Sequence, residues 1–337
     1  MKNFTCAYDV PSIPQLLEEA QFMKENPLAF AGAGKSLTLG LVFMNPSLRT
    51  RLSTIKAAQL LGMNTLMVNA QTEGWSLDFS DQPMNHTTVE HIHEAAAVMG
   101  EYCDILGVRC FPTLTHRDQD DREHVLLQWM KYARMNDAAG QGNRPLLSLE
   151  SSTRHPLQSL ADMLTIKQLF PDRKPKVVLT WAPHVKPVPH AVANSFCEWM
   201  KFMDADFTVA CPDAVRLNEE FTYQAQVTSD QASALKDADI VMVKSWCSYE
   251  EYGKFHNDPS WMLTAEKLKA SNNAKVMHCL PVRRDVELSS ALLESKHSVV
   301  IQQAGNRVPA AQAVLHNLIS SNCRKSNQLS VLTEANS

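Results

Sequence analysis

The sequence predicts an α/β protein built from two parallel-sheet domains. Three observations indicate this class: short apolar runs alternate with helix-type patterns, the alternation ends near residue 150, and it then begins again. The 337 residues are enough for about two domains, and an apolar fraction of 45% is that of an ordinary globular protein. We therefore expect two doubly wound parallel sheets that face a cleft and are joined by bridging helices.

The first predicted domain spans residues 1–150. Its first helix, at 11–25, places apolar side chains such as Leu16, Leu17 and Ala20 on one face. The strands after it are predicted at 37–44, 64–69, 104–110 and 145–149, and the helices between them at 48–61, 87–102 and 118–135. A polar segment that contains glycines, 136–144, is predicted to be a loop.

The second predicted domain spans residues 151–307 and opens with a helix at 155–170 that is expected to bridge the two domains. The strands are predicted at 176–182, 206–211, 238–244, 275–279 and 298–302, and the helices at 189–203, 230–237, 262–270 and 286–295. A last helix, at about 308–322, can pack on either domain, and packing back on the first is one expectation. The polar tail at 324–337 is expected to be disordered.

Composition excludes several classes of function. A net charge of −4 provides no basic field for nucleic acid, and no apolar run is long enough to cross a membrane. The eight cysteines form no C-x-x-C pair, and the N-terminus lacks a signal-peptide pattern, so we expect reduced thiols in a cytoplasmic protein. Dinucleotide fingerprints, P-loops and metal-ligand clusters are absent from the sequence, and we expect no metal and no cofactor.

The segment Asn45–Arg51 joins the first predicted strand to a helix for which Ser47 is the N-cap candidate. A helix start carries unpaired N–H groups and a partial positive charge. Together with Ser47, Arg49 and Thr50, this start suits a small anion such as phosphate. The alternative is a capped helix with solvated arginines.

Further polar residues follow the ends of other predicted strands, where ligands of parallel sheets bind. Three arginines from separate strands, Arg49, Arg109 and Arg307, suit a phosphorylated carbonyl compound, and His155 suits a carbonyl oxygen that gains negative charge. The alternative for each is a structural ion pair or a structural histidine. The other residues in such positions are Glu150, Gln158, His184, Lys244, Cys279 and Arg283.

Two other residues are candidates for a functional role. Cys279 resembles a nucleophile because Arg283 and Arg284 would favour its thiolate, yet no general base with a recognisable partner stands near it in sequence, so covalent catalysis is the less favoured interpretation. Trp75 lies in a loop-like stretch and is expected to anchor an interface or a ligand. The alternative is a loop tryptophan that folds onto its own domain.

Three motifs in order resemble those of the carbamoyltransferases: S-x-R-T-R at 47–51, H-P-x-Q at 155–158 and H-C-L-P at 278–281. The resemblance spans about residues 1–322. It implies transfer of the carbamoyl group of carbamoyl phosphate to an amine, in a homotrimer with shared active sites. It also implies that leaving phosphate takes the proton and that Cys279 helps to place the carbamoyl amine without forming a covalent bond.

Within this family the chain resembles the branch that acts on N-acylated ornithine. W-A-P-H at 181–184 and H-C-L-P-V-R-R at 278–284 are similar to that branch, and Lys244–Cys247 lacks the loop that binds free ornithine. Acetyl-using members carry a glutamate where this chain has Val89 and an asparagine where it has Pro189. Because a carboxylate at residue 89 would repel a succinyl group, we expect N-succinylornithine as acceptor in arginine biosynthesis, with N-acetylornithine as the alternative.

The resemblance also implies a role for individual residues. Those expected to catalyse are Arg109, His155, Cys279 and Arg307. Those expected to bind carbamoyl phosphate are Ser47, Leu48, Arg49, Thr50, Trp75 (from a neighbouring subunit), Arg109, His155, Gln158, Cys279, Leu280 and Arg307. Those expected to bind the acylornithine are Glu150, His184, Lys244, Arg283 and Val89. Two further hypotheses are an inert relative that binds a phosphorylated metabolite and a Rossmann-type oxidoreductase.

Overall fold

The computed structural model describes residues 1–70, 74, 76–133 and 144–334, with side chains described to residue 321. These residues form two compact units. The first comprises Met1–Phe111, Glu123–Ser151 and, over its described part, Val308–Ser337; the second comprises Pro112–Arg122 and Ser152–Arg307. Pro112–Arg122, which the sequence placed in the first domain, therefore belongs to the second.

The first unit is built around a four-stranded parallel sheet whose strand order is β2-β1-β5-β6. Its strands, and those of a separate two-stranded parallel ribbon formed by β3 and β4, are β1 Thr38–Phe43, β2 Asn64–Asn69, β3 Leu77–Asp78, β4 Glu90–His91, β5 Ile105–Arg109 and β6 Leu146–Glu150. The central strands β1 and β5 are apolar along most of their length because helices cover both faces of such a sheet. Leu41 of β1, for example, lies between Met67 of β2 and Gly107 of β5.

The second unit contains a five-stranded parallel sheet in the order β11-β10-β7-β8-β9. Its strands are β7 Lys176–Trp181, β8 Asp206–Ala210, β9 Gln226–Thr228, β10 Ile240–Lys244 and β11 Lys275–Met277. The strand predicted at 298–302 is wrong. Only Ser298 makes a bridge, to Val276, and a helix begins at Val300 that buries Val300 and Gln303 and leaves Ile301 exposed. An apolar run this short does not distinguish a strand from a helix.

The α-helices are α1 Ile13–Glu25, α2 Leu48–Leu60, α3 Ile92–Tyr102, α4 Arg117–Asp121, α5 His124–Tyr132, α6 Pro156–Leu169, α7 Ala191–Met200, α8 Glu219–Thr222, α9 Gln231–Leu235, α10 Ala265–Leu268, α11 Ser290–Leu293, α12 Val300–Gly305 and α13 Arg307–Glu334. The single helix predicted at 118–135 is divided into α4 and α5, because Glu123 adopts a left-handed conformation with φ of 54°. The helix predicted from 87 begins at Ile92, because Glu90 and His91 form β4.

The last helix, α13, continues to Glu334, so its backbone is helical where a disordered tail from 324 was expected. Residues 335–337 of that tail, and most of the loop predicted at 136–144, lie outside the described residues. The start of α13 packs in the first unit, where Gln312 donates to the carbonyl of Pro27 (2.8 Å) and His316 bonds with Glu19 (2.9 Å). Throughout the described chain, no helix has both the length and the apolar character of a membrane span.

Candidate functional site

In the first unit, the predicted anion site is a capped helix start. Ser47 has extended backbone angles (φ −154°, ψ 124°), and its hydroxyl accepts the Thr50 N–H at 3.3 Å. The Ser47 hydroxyl therefore serves as the N-cap of α2, as the sequence predicted. An open cavity of about 240 Å³ adjoins this start and is lined by Phe43, Pro46, Ser47, Leu48, Arg51, Met67 and Asn69. Such a volume accommodates a phosphate-sized anion at the positive end of a helix.

Arg109 and Glu150 form an ion pair in the first unit. They end the neighbouring strands β5 and β6, and an irregularity in the register after Val108 places them opposite each other. Arg109 Nη1 donates to Glu150 Oε2, and only 8% and 9% of the two side chains are exposed. The guanidinium also lies over the Phe111 ring, 4.4 Å from its centroid. Sequence reasoning gave these two residues to different substrates and did not predict that they pair.

Val89, the predicted acyl-group residue, lies directly before β4, and 62% of its surface is exposed in the single chain. Its backbone position is fixed by a hydrogen bond from its N–H to the Ser76 carbonyl (3.0 Å). Beside it, Asp78 accepts from the Thr88 hydroxyl (2.8 Å) and from Ser80, which ties the two ends of the loop together. Trp75, predicted to reach a neighbouring subunit, lies outside the described residues.

In the second unit, His155, Gln158 and Arg307 are all buried. His155 precedes α6 and Gln158 lies in its first turn, because Pro156 occupies the first helical position, where it is best tolerated. Arg307 starts α13, and its Nη1 donates to Gln158 Oε1 at 2.9 Å. The fold thus brings together two residues 149 positions apart that were both predicted to bind carbamoyl phosphate.

Two residues that sequence reasoning missed, Asp162 and Gln303, adjoin this pair. Asp162 Oδ1 accepts from Gln158 Nε2 (2.8 Å) and from Gln303 Nε2 (2.7 Å). Burial raises the pKa of Asp162 to about 6, although the two amides and the charge of Arg307 oppose this rise. The available signal was a carboxylate four residues after Gln158, within an otherwise largely apolar helix.

The H-C-L-P segment follows β11, and its histidine is a structural group. His278 Nδ1 accepts the Leu280 N–H (2.9 Å), and its Nε2 lies 3.4 Å from Glu287 Oε1. Burial alone would raise the pKa of Glu287, but the hydrogen bond and charge of His278, followed by Lys244, lower this pKa to about 2. Because both ring nitrogens of His278 are engaged, this ring is a poor general base for half-buried Cys279.

His184, Lys244 and Arg283, three residues predicted to bind the acylornithine, are close together in the second unit. Arg283 Nε donates to His184 Nε2 at 3.1 Å, so His184 Nδ1 carries the proton that it donates to the Lys186 carbonyl (3.0 Å). Burial lowers the pKa of His184, and the charges of Lys244 and Arg283 lower it further. The neutral imidazole leaves two cations in this group, which suits an acceptor that bears carboxylates.

Comparison with known families decides what the two units are. Residues 3–168 match the carbamoyl-P binding domain of the aspartate/ornithine carbamoyltransferases, and residues 189–318 match their Asp/Orn binding domain. The chain belongs to the aspartate/ornithine carbamoyltransferase family. Of the predicted site residues, Ser47 to Gln158 lie in the first matched range and Lys244 to Arg307 in the second, whereas His184 lies between the two. No three His, Cys, Asp or Glu side chains are grouped as metal ligands in the described part of this carbamoyltransferase.

Individual family members place the chain in the N-acylornithine branch. The N-succinylornithine carbamoyltransferase of Bacteroides thetaiotaomicron is 41% identical over 323 residues, which cover 95% of this chain and 99% of that protein. The N-acetylornithine carbamoyltransferase of Xanthomonas campestris pv. campestris is 34% identical over 328 residues, with 90% and 93% covered. The ornithine carbamoyltransferase of Methanococcus aeolicus is only 28% identical, with 91% and 95% covered.

Solved structures of this branch have the same fold. An acetylornithine transcarbamylase complexed with acetylcitrulline has a TM-score of 0.87 at 32% identity, and the match covers 94% of this chain and 99% of that one. A glutamate-to-valine variant of N-acetyl-L-ornithine transcarbamylase, complexed with carbamyl phosphate and N-succinyl-L-norvaline, also has a TM-score of 0.87, at 31% identity and with 94% and 100% covered.

Proposed function

We propose that this carbamoyltransferase transfers the carbamoyl group of carbamoyl phosphate to the δ-amine of N-succinyl-L-ornithine, giving N-succinyl-L-citrulline and phosphate in arginine biosynthesis. The observation that carries the proposal is the 41% identity, over 95% of the chain, to an N-succinylornithine carbamoyltransferase. N-acetyl-L-ornithine is the second candidate acceptor, because the acetyl-using enzyme of Xanthomonas campestris pv. campestris is 34% identical.

The phosphate of carbamoyl phosphate binds at the start of α2 through Ser47, Arg49, Thr50 and the Leu48 N–H. The Ser47 cap, the partial charge of the helix and the adjoining cavity, which Ser47 and Leu48 line, support this assignment. Trp75 of a neighbouring subunit completes the site in a cytoplasmic homotrimer.

The carbonyl oxygen is held by Arg109, His155 and Arg307, which stabilise the negative charge that it gains during attack. Gln158 and the Leu280 carbonyl accept from the carbamoyl amine, which Cys279 helps to place. The lone pair of the δ-amine attacks the carbonyl carbon and forms the new C–N bond. The bond between the carbonyl carbon and the bridging phosphate oxygen then breaks. Phosphate leaves and takes up the proton that the amine loses.

The acceptor is bound by residues of opposite charge. Lys244 and Arg283 bind its carboxylates, His184 orients Arg283 through their 3.1 Å hydrogen bond, and Glu150 accepts from the amide N–H. Val89 forms an uncharged wall for the acyl group. A glutamate-to-valine variant of the acetyl-using enzyme accommodates N-succinyl-L-norvaline, which supports a valine as compatible with a succinyl group.

The first test is a ureido-product assay with carbamoyl phosphate and three acceptors side by side: ornithine, N-acetylornithine and N-succinylornithine. We expect product from the succinyl compound, with at most weak activity on the other two. Activity on the acetyl compound alone would replace the first acceptor by the second. If no product forms with any of the three acceptors and the protein still binds carbamoyl phosphate, the result would favour a catalytically inert relative.

The second test replaces Val89 by a carboxylate. Val89→Glu should lower kcat/KM for N-succinylornithine by about tenfold or more, because two carboxylates then face each other. Val89→Gln introduces a side chain of the size of glutamate but without its charge, and it should lower kcat/KM less than Val89→Glu does. If both variants lower kcat/KM equally, charge at residue 89 does not select the acyl group.

A further inference from the structure

A continuous chain of buried hydrogen bonds crosses the second unit. It begins at Arg307, passes through the amide of Gln158 to Asp162, and continues through the amide of Gln303 to the backbone of His278. The donor–acceptor distances along it are 2.9, 2.8, 2.7 and 2.8 Å. Its five side chains are at most 5% exposed. One end lies at the predicted carbamoyl phosphate residues and the other at the first residue of the H-C-L-P segment.

The carboxylate at the centre of this chain decides the orientation of both amides. An ionised carboxylate only accepts hydrogen bonds, so each glutamine must turn its NH₂ group toward Asp162 and its oxygen away. The Gln158 oxygen then accepts from Arg307, and the Gln303 oxygen accepts the His278 N–H. If either amide were reversed, two donors would meet at one of its ends and two acceptors at the other.

Packing alone does not explain a carboxylate at this position. Asp162 is fully buried among apolar neighbours of α6 such as Ala161, Met163 and Leu164, and an apolar side chain would fill the same place without desolvating a charge. Its Oδ2 is also buried and has no hydrogen-bond partner among the described residues. A charge that is kept at such a position is better explained by the order that it imposes on the groups around it.

We propose that Asp162 is a positioning residue that fixes the carbamoyl-binding and acceptor-binding parts of the second unit with a single oxygen. Through Gln158 it sets an acceptor oxygen toward the carbamoyl amine and holds Arg307. Through Gln303 it holds the backbone of His278, from which Leu280 and Arg283 follow. This inference rests on the proposed function, because it assigns the Arg307 end of the hydrogen-bond chain to carbamoyl phosphate and the His278 end to residues that bind both substrates.

The experiment compares three single variants by steady-state kinetics with both substrates varied. Asp162→Ala removes the shared acceptor and should lower kcat/KM for carbamoyl phosphate by about 100-fold, since small displacements of positioned groups have effects of that size. Asp162→Asn keeps an acceptor oxygen and should recover most of this loss, to within about tenfold of wild type. Ser159→Ala is the control, because it removes a buried hydroxyl from the same helix without changing any residue of the hydrogen-bond chain.

Gln303→Leu breaks the hydrogen-bond chain only at its His278 end. This variant replaces Asp162→Ala as the test if Asp162→Ala fails to fold. It releases the His278 backbone, from which Leu280 and Arg283 follow, but leaves Gln158 bonded to Asp162 and Arg307. It should therefore raise KM for the acylornithine by about tenfold and lower kcat/KM for carbamoyl phosphate by about tenfold, which is less than the loss expected for Asp162→Ala. A merely structural role would lower stability without this graded loss of kcat/KM between Asp162→Ala and Gln303→Leu.

The inference is overturned if folded Asp162→Ala keeps wild-type kinetics, if Asp162→Asn is as impaired as Asp162→Ala, or if Gln303→Leu keeps the wild-type KM for the acylornithine. Wild-type protein that carbamoylates no acceptor overturns the proposed function instead. Active wild-type protein with an unaffected Asp162→Ala variant overturns only the role of Asp162.

Discussion

The two units hold their buried arginines in different ways. Arg109 of the first unit donates directly to a carboxylate, that of Glu150. Arg307 of the second unit donates to the amide of Gln158, which in turn donates to the carboxylate of Asp162. In the first arrangement the cation and the carboxylate are in direct contact, whereas in the second a neutral amide is hydrogen-bonded to both.

This difference affects what each arginine can offer a substrate. A directly paired guanidinium is well fixed, but its partner competes with any incoming oxygen. A guanidinium bonded to an amide is oriented with less competition, because an amide oxygen is a weaker acceptor than a carboxylate. The first unit is therefore expected to tolerate loss of its carboxylate poorly, and the second to depend on the geometry of its amides.

Both arginines should matter most for turnover. Arg109→Ala and Arg307→Ala should each lower kcat/KM by about 1,000-fold, because each removes a donor from an oxygen that becomes negative. The free energy of unfolding, measured by urea titration, should change little in Arg307→Ala but should fall by about 3 kcal/mol in Arg109→Ala, which leaves the buried Glu150 carboxylate without its cation. A variant with near wild-type turnover would show that its arginine lies outside the site.

Neutral replacements of Glu150 and Asp162 should distinguish the two arrangements by their effect on the free energy of unfolding. Glu150→Gln keeps an acceptor oxygen but removes the negative charge that pairs with buried Arg109, and it should lower the free energy of unfolding by about 3 kcal/mol. Asp162→Asn keeps the acceptor oxygen and removes a buried charge, so at pH 8 it should leave the free energy of unfolding unchanged or raise it. Equal losses in the two variants would contradict the distinction between direct and relayed pairing.

Stability should depend on pH through two carboxyl groups of the second unit, in opposite directions. The pKa of Glu287 is lowered from 4.5 to about 2, so its contribution to stability is complete above pH 4.5 and is lost as pH falls toward 2. The pKa of Asp162 is raised from 3.8 to about 6, so its contribution is complete below pH 3.8 and is lost as pH rises through 6. Each effect amounts to about 3 kcal/mol.

Urea titrations between pH 2 and pH 8 would measure both windows. Glu287→Gln should flatten the acid loss below pH 4.5, and Asp162→Asn should flatten the loss between pH 3.8 and 6. The prediction fails if either variant keeps the wild-type slope in its own window.

The smallest effect is expected at the start of α2 in the first unit. Ser47→Ala removes the acceptor of the Thr50 N–H and should lower the free energy of unfolding by about 1 kcal/mol. Ser47→Asn keeps an N-cap acceptor and should recover this loss. If it does, and KM for carbamoyl phosphate also rises in the alanine variant, Ser47 both caps the helix and binds the anion.

The sequence was sufficient for elements that carry their own pattern. Eight predicted strands are present because buried parallel strands are continuous apolar runs, and Ser47 caps α2 as predicted. Interactions between distant residues could not be predicted in this way. The Gln303–Asp162 bond joins positions 141 apart, and the Arg109–Glu150 pair depends on an irregular register between two strands. The break at Glu123 depends on a single backbone conformation that its residue type does not favour.

The return of α13 to the first unit has a consequence for biosynthesis. Several of its side chains, including Ala310, Val314, Leu315 and Leu318, are fully buried. The ribosome must therefore complete more than 300 residues, including the whole second unit, before the core of the first unit has all its parts. A nascent chain released at residue 151 would expose the apolar surface that α13 covers, which makes truncated products natural targets for chaperones and proteases. The unit whose synthesis begins first is thus the one that is completed last.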